Sequence, residues 1–155
     1  QLCLCYNIPM KTLIVYDSYF GNTKLVAETI AKEFENSRVI FVSDFVSDML
    51  KGVDILIVGG PIRAWKPSER TGKFLAGLKD GSLKGIKAAS FDTRSKLFFH
   101  GDAANKIAKA LESAGAEIIT KPGNFDVKGA KGPLFEGELE KATAWAKSIK
   151  TKLTV

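Results

Sequence analysis

Five short apolar runs recur along this chain with amphipathic stretches of helical length between them, and that alternation decides what the chain can fold into. The runs are Thr12 to Tyr16, Val39 to Val42, Ile55 to Val58, Ile86 to Phe91 and Ile118 to Thr120. They are rich in β-branched residues and continuous rather than alternating, as strands buried on both faces are. Between the first two, Val26, Ile30 and Phe34 recur every four residues with Ala27 and Ala31 beside them. Ala104, Ile107, Ala108 and Leu111 repeat that spacing, and Leu139, Ala142, Ala146, Ile149 and Leu153 do so near the C-terminus. Each set places one apolar stripe on a helix. Phe74, Leu75 and Leu78 make a weaker stripe, and Phe45 to Lys51 leaves room only for a short helix. Strand, helix, strand order calls for a parallel sheet covered on both faces by right-handed crossovers, so the fold class is a doubly wound α/β domain. Ligands of such sheets bind in the crevice outside the carboxyl ends of the strands.

A length of 155 residues suits one domain, and ten Phe, three Tyr and two Trp supply its interior. No apolar run approaches the ~20 residues that cross a bilayer, so no membrane span is expected. Cys3 and Cys5 sit two positions apart ahead of the first strand, where they staple nothing, which points to a reducing, cytoplasmic setting. Residues 1–9 read as a leader or disordered extension and residues 10–155 as the domain, because Met10 directly precedes the first strand pattern and no basic stretch marks a signal peptide. The Cys pair lacks further ligands in a chain with a single His, so no metal is expected. The net charge is +6 and the pI about 9.3, but the basic residues are dispersed and no aromatic RNA-binding box accompanies them. That dispersion argues for a solvated basic surface and against nucleic acid.

The strand ends carry the functional signal. The first strand runs through Asp17 into Ser18, Tyr19, Phe20, Gly21, Asn22 and Thr23, ahead of a helix expected from about Lys24. A helix N-terminus offers unpaired N–H groups and a partial positive charge, so a phosphate fits there without a basic side chain. Ser18, Asn22 and Thr23 add donors, and Gly21 lets the backbone approach an anion. The same residue types cap ordinary helices, so capping stands beside phosphate binding as a reading of this loop. The chain contains neither G-x-G-x-x-G after the first strand nor a P-loop, which favours a mononucleotide monophosphate over a dinucleotide or a triphosphate. The third strand ends in Gly59, Gly60, Pro61, Ile62, Arg63, Ala64 and Trp65, with Pro67 and Ser68 opening the next helix; Trp65 offers a flat face for stacking. The fourth ends in Asp92, Thr93, Arg94 and Ser95, at the same edge, where Asp92 and Arg94 are equally suited to a structural ion pair.

Taken in order, these segments resemble the flavodoxin family of small FMN-binding electron carriers. The loop Ser18 to Thr23 is similar to the family's phosphate signature S/T-x-T-G-x-T, with Phe20 where a hydroxyl residue is common. The likeness runs from about Thr12 to Ile149 and takes in Gly59 to Pro61, Phe91 to Arg94 and Gly132 to Leu134. It implies a flavodoxin-like domain whose five-stranded parallel sheet has the order 2-1-3-4-5, with helices on both faces. It also implies an FMN site. Ser18, Tyr19, Phe20, Gly21, Asn22 and Thr23 would hold the phosphate. Gly60, Pro61, Ile62, Arg63, Ala64 and Trp65 would lie along the isoalloxazine, with Gly60 or a neighbour supplying a carbonyl to the reduced ring. Asp92, Thr93, Arg94 and Ser95 would approach the other side.

This chain departs from the resemblance in its charge. The family's carriers are usually acidic, whereas this chain is net positive, with Arg63, Lys66, Arg94 and Lys96 near the expected flavin edge. Positive charge there favours the reduced anion and raises the potential. No Tyr follows the fourth strand; Phe98 and Phe99 are the nearest aromatics, and His100 carries no catalytic role. The leading functional reading is an electron-transfer flavoprotein working in one-electron steps with a donor and an acceptor protein, the chemistry belonging to FMN rather than to side chains. Two others stand beside it: a flavin-dependent reductase of quinones or similar small acceptors, and a binding module that keeps the fold without a cofactor.

Overall fold

The computed structural model describes residues 9–96 and 101–153. The Cys3 and Cys5 pair and Phe98, Phe99 and His100 lie outside the described residues. The chain opens with β1 (Lys11–Tyr16), α1 (Asn22–Ala31) and β2 (Asn36–Phe41). After two 3-10 turns at Val42–Asp44 and Ser47–Leu50 come β3 (Ile55–Arg63), β4 (Lys66–Pro67), α2 (Glu69–Ala76), β5 (Lys87–Ser95) and α3 (Ala104–Ser113). The chain finishes with β6 (Glu117–Ile118), β7 (Gly123–Val127) and α4 (Glu138–Leu153). No described helix is long and apolar enough to cross a membrane.

The sheet order is β2-β1-β3-β5-β6, with β7 also pairing β5, and these pairings are all parallel. In the numbering of the five expected strands this is the order 2-1-3-4-5. The sheet has seven strands rather than five for two local reasons. First, β3 runs past Gly60 to Arg63 and turns back on itself as the two-residue antiparallel β4. Second, the expected run Ile118 to Thr120 gives only the two-residue β6, and the fifth position is completed by β7. Pro122 lies between the two pieces, and a residue with no N–H and a fixed φ interrupts a ladder.

Successive residues of the central strands feed opposite cores. Leu13, Val15, Leu56, Val58 and Ala88 pack with Phe74 of α2 and Ile107 and Leu111 of α3. Ile14, Tyr16, Ile55, Ile57, Ala89 and Phe91 pack with Val26, Ala27 and Ile30 of α1 and with Ala142, Ala146 and Ile149 of α4. The continuous apolar runs thus reflect burial on both faces. The second run is the exception: β2 is an edge strand with an alternating, half-exposed pattern, and Val42 already lies in a 3-10 turn. Phe34 is buried from the turn after α1 rather than from the helix itself.

Candidate functional site

At the carboxyl ends of β1, β3, β5 and β7 lies a cleft of about 300 Å³, at the small end of the ~300–1,000 Å³ of ligand pockets. Ser18, Tyr19, Phe20, Asn22 and Thr23 line one side and Pro61, Ile62 and Arg63 another; Thr93 and Ser95 reach it from β5. Val127, Gly129 and Ala130 complete the wall. Ten of the sixteen residues expected at a ligand site therefore come together. The remaining six are placed otherwise.

The loop after β1 is held from below. Asp17 is buried, and its carboxylate accepts from the Ser18 N–H at 2.9 Å, from the Ser68 hydroxyl and from Arg70 Nε at 2.8 Å. Ser68 also caps α2, accepting from the Thr71 N–H, so one network ties the loop to the start of α2. Gly21 is the N-cap of α1 with φ 92°, a conformation glycine adopts without strain, and it does not itself line the cleft.

No side chain caps α1. The Ser18 hydroxyl accepts from the Gly21 N–H at 3.0 Å, the Asn22 amide donates to the Lys131 carbonyl at 3.0 Å, and Thr23 Oγ1 lies 2.8 Å from Thr93 Oγ1. The polar residues of the kind that cap helices are thus engaged elsewhere, and its first turn contains no acid. The positive end of the helix dipole opens beside the cleft without an internal counter-charge. A hydroxyl that accepts one bond keeps its proton to donate, so Ser18 and one member of the threonine pair retain a donor for an anion.

The β3 end differs most from expectation. Gly60 lies inside the sheet opposite Asp92, and a Cβ there would stand 2.9 Å from Thr71 Oγ1. The turn falls four residues later, at Ala64 and Trp65, whose φ values of 49° and 69° are both left-handed. The Trp65 carbonyl accepts from the Asp102 N–H at 3.3 Å and the backbone of Gly101 packs against it, which fixes the hairpin tip to the start of α3. Trp65 is 56% exposed and off the cleft wall, as is Ala64. Tyr19 instead lies beneath two guanidinium groups, Arg63 at 4.4 Å and Arg70 at 4.1 Å from its ring centre.

Asp92 and Arg94 form the ion pair, with Arg94 Nε 2.8 Å from Oδ1 and the second contact at 2.6 Å. Asp92 is buried and also accepts from the Ala103 and Ala104 N–H groups and from the Asn124 amide, so it caps α3 from the neighbouring strand. Burial lowers the pKa of Arg94, but the bond to Asp92 and the charges of Asp92, Asp102 and Asp126 outweigh it and leave the pKa raised. Of the cations expected at the edge, Arg63 lines the cleft, Arg94 is matched by Asp92, and Lys66 and Lys96 are exposed beside it.

Val127, Gly129 and Ala130 were not among the expected residues. Val127 ends β7, and Gly129 and Ala130 lie in the turn that follows it, closed by the Lys128 N–H to Pro133 carbonyl bond at 2.8 Å and the Gly132 N–H to Lys128 carbonyl bond at 3.0 Å. Asn22 draws this turn onto α1; a Cβ on Gly132 would collide with the Asn22 side chain. In the sequence this turn is marked only by the family likeness at Gly132 to Leu134, inside a long Gly- and Lys-rich stretch from Lys121 to Gly137.

Comparison with known proteins identifies the family. A Flavodoxin domain matches residues 13–130. A flavodoxin of Maridesulfovibrio salexigens is 29% identical over 153 residues, covering 92% of this chain and 99% of the relative. Among solved structures, the oxidised Flavodoxin 2 of Bacillus cereus superposes with a TM-score of 0.78 at 21% identity, covering 92% of this chain and 99% of that one. A flavodoxin from the domain Archaea gives 0.75 at 24% identity, covering 94% and 100%.

Proposed function

The chain belongs to the flavodoxin family of electron-transfer flavoproteins, and from that premise we propose that its cleft binds FMN and that the protein passes single electrons between partner proteins in the cytoplasm. The observation that carries the FMN reading is the uncapped start of α1 beside the cleft, with donors around it and no acid in its first turn. The N–H groups of Asn22 to Lys24, with the hydroxyls of Ser18 and of the Thr23–Thr93 pair, would hold the FMN phosphate. The end of β3 at Pro61 to Arg63 and the turn at Gly129 and Ala130 would flank the ring. Bound FMN supplies the redox chemistry. The protein's part is to hold the phosphate with neutral donors, to keep one wall apolar through Pro61, Ile62 and Val127, and to set the charge beside the ring. Arg63 on the wall and Lys96 near it favour the reduced, anionic ring and so raise its potential.

Titration with FMN and with riboflavin, read by flavin absorbance and fluorescence, tests this. FMN should bind more tightly than riboflavin. Ser18→Ala combined with Thr23→Ala should weaken FMN by about tenfold or more, since bonds to charged groups contribute about 1.5–3 kcal/mol each. Riboflavin should be little affected. Equal losses for both ligands, or a protein that takes up neither, would overturn the assignment.

A further inference from the structure

We propose that the face around the cleft is a docking surface for an acidic electron-transfer protein; the proposal rests on the flavin reading for its purpose but not for its charge. Most of the chain's net charge is concentrated there. The described stretches that border the cleft, residues 61–67, 92–96, 101–106 and 127–137, hold seven Lys or Arg against three Asp or Glu, a net of +4 out of +6 for the whole chain. Arg94 is matched internally by Asp92 and Asp102. The other six, Arg63, Lys66, Lys96, Lys106, Lys128 and Lys131, are exposed, and no described acid pairs with any of them.

The cations surround an apolar centre. Six large hydrophobic residues are exposed among those described; Tyr19, Phe20 and Leu25 line this cleft or the groove beside it, and Trp65 stands at the tip of the hairpin whose Arg63 lines the cleft. Phe20 and Leu25 continue the surface into a shallow groove against Lys131 and Pro133, and the Lys131 ammonium stands 5.8 Å from the Phe20 ring. An aromatic centre with a charged rim is the composition of a transient protein interface. A rim of one sign guides the approach of a partner of the other sign and discriminates against like-charged ones. A partner seated here also stands directly over the cleft, where electron transfer has the shortest path. The dispersion of aromatics and cations over three loops, with no stripe along a helix, favours a protein over a nucleic-acid backbone.

The test uses two redox proteins of opposite charge as probes, an acidic rubredoxin and a basic cytochrome c. Binding is measured by calorimetry on the protein as purified, and electron transfer by stopped flow from the FMN-loaded, chemically reduced protein. The rubredoxin rate constant should fall about tenfold between about 20 and 200 mM salt as screening sets in, and cytochrome c should show the opposite trend. Lys106→Glu, Lys128→Glu and Lys131→Glu together should slow rubredoxin about tenfold at low salt and speed cytochrome c. The Lys→Gln triple variant should give an intermediate value, which separates charge from any loss of folding. Rates insensitive to salt and to charge, or faster transfer to cytochrome c in the parent protein, would overturn the proposal. So would a DNA duplex that binds through the same lysines while rubredoxin does not bind. If the protein takes up no FMN, the flavin reading fails alone, and rubredoxin binding in the calorimeter still decides the docking face.

Discussion

Thr23 and Thr93, separated by 70 residues in sequence, share a buried hydroxyl to hydroxyl hydrogen bond of 2.8 Å that joins the first turn of α1 to the end of β5 at the cleft. Thr93→Val should leave the Thr23 hydroxyl buried without its partner, at a cost of about 1–3 kcal/mol. Replacing both by Val removes both polar groups and should recover most of that loss. Urea denaturation of the two single variants and the double variant checks the coupling. A double variant as damaged as the sum of the singles would show that the pair is not a unit.

Asp92 gathers an ion pair and three hydrogen bonds in the core edge behind the cleft, so its removal should be the most damaging polar substitution in the protein. Asp92→Asn takes away the nearer of the two counter-charges of Arg94, leaving Asp102 at 3.6 Å, and should cost about 3 kcal/mol, at the low end for broken buried pairs because Arg94 keeps Asp102 and some contact with water. The pKa of Arg94 is raised in the folded state, so its contribution is fully present below its unfolded pKa and fades only as pH climbs through the still higher folded one. Both lie far above neutrality. The loss caused by Arg94→Met should therefore be constant between about pH 6 and pH 10, which chemical denaturation across that range would show.

Gly59 and Phe91 are partners in adjacent strands, and a Cβ on Gly59 would fall 2.1 Å from the Phe91 ring. Phe91 is fully buried between α1, Phe125 and Trp145, and has no room to withdraw. Gly59→Ala should cost about 1–3 kcal/mol as an overpacked core. Phe91→Leu, which removes the ring atoms in conflict, should make Gly59→Ala markedly less harmful. Additive losses in the double variant would mean that the glycine is needed for its backbone and not for the space it leaves.

How far the sequence reveals this molecule depends on whether the information is local. The two-faced burial of β1 and β3 and the stripe Ala104, Ile107, Ala108 and Leu111 are written as periodicity, and all of them are buried in the fold. The fifth strand is harder to read because Pro122 divides it, leaving the alternation of Phe125 and Val127 in a stretch dominated by Gly and Lys. In the site, the loop after β1 carries its own chemistry and is legible. The wall at Val127, Gly129 and Ala130 depends on the Asn22 bond to Lys131, a contact across 109 residues that no local pattern announces. The hairpin tip is hidden for a different reason. Two left-handed residues in a two-residue turn normally read as Asn-Gly, and here they are Ala64 and Trp65.

That tip supplies the last prediction. A non-glycine residue in the left-handed region is disfavoured by roughly 1–2 kcal/mol. Trp65 accepts that conformation while 56% exposed. Trp65→Gly should therefore leave the flavin-free protein as stable as before or stabilise it by about 1 kcal/mol, because glycine relieves the strain although it also loosens the unfolded chain. A stacking role for the indole, expected from the sequence, makes a different prediction for the loaded protein. Trp65→Gly should then weaken both FMN and riboflavin, since the ring and not the phosphate loses its contact, whereas the Ser18 and Thr23 substitutions weaken FMN alone. Thermal melts without flavin and titrations with both flavins separate the two effects. Unchanged affinity for both ligands would show that the indole stays at the rim when the cleft is filled, and its exposed face would then belong to the docking surface alone.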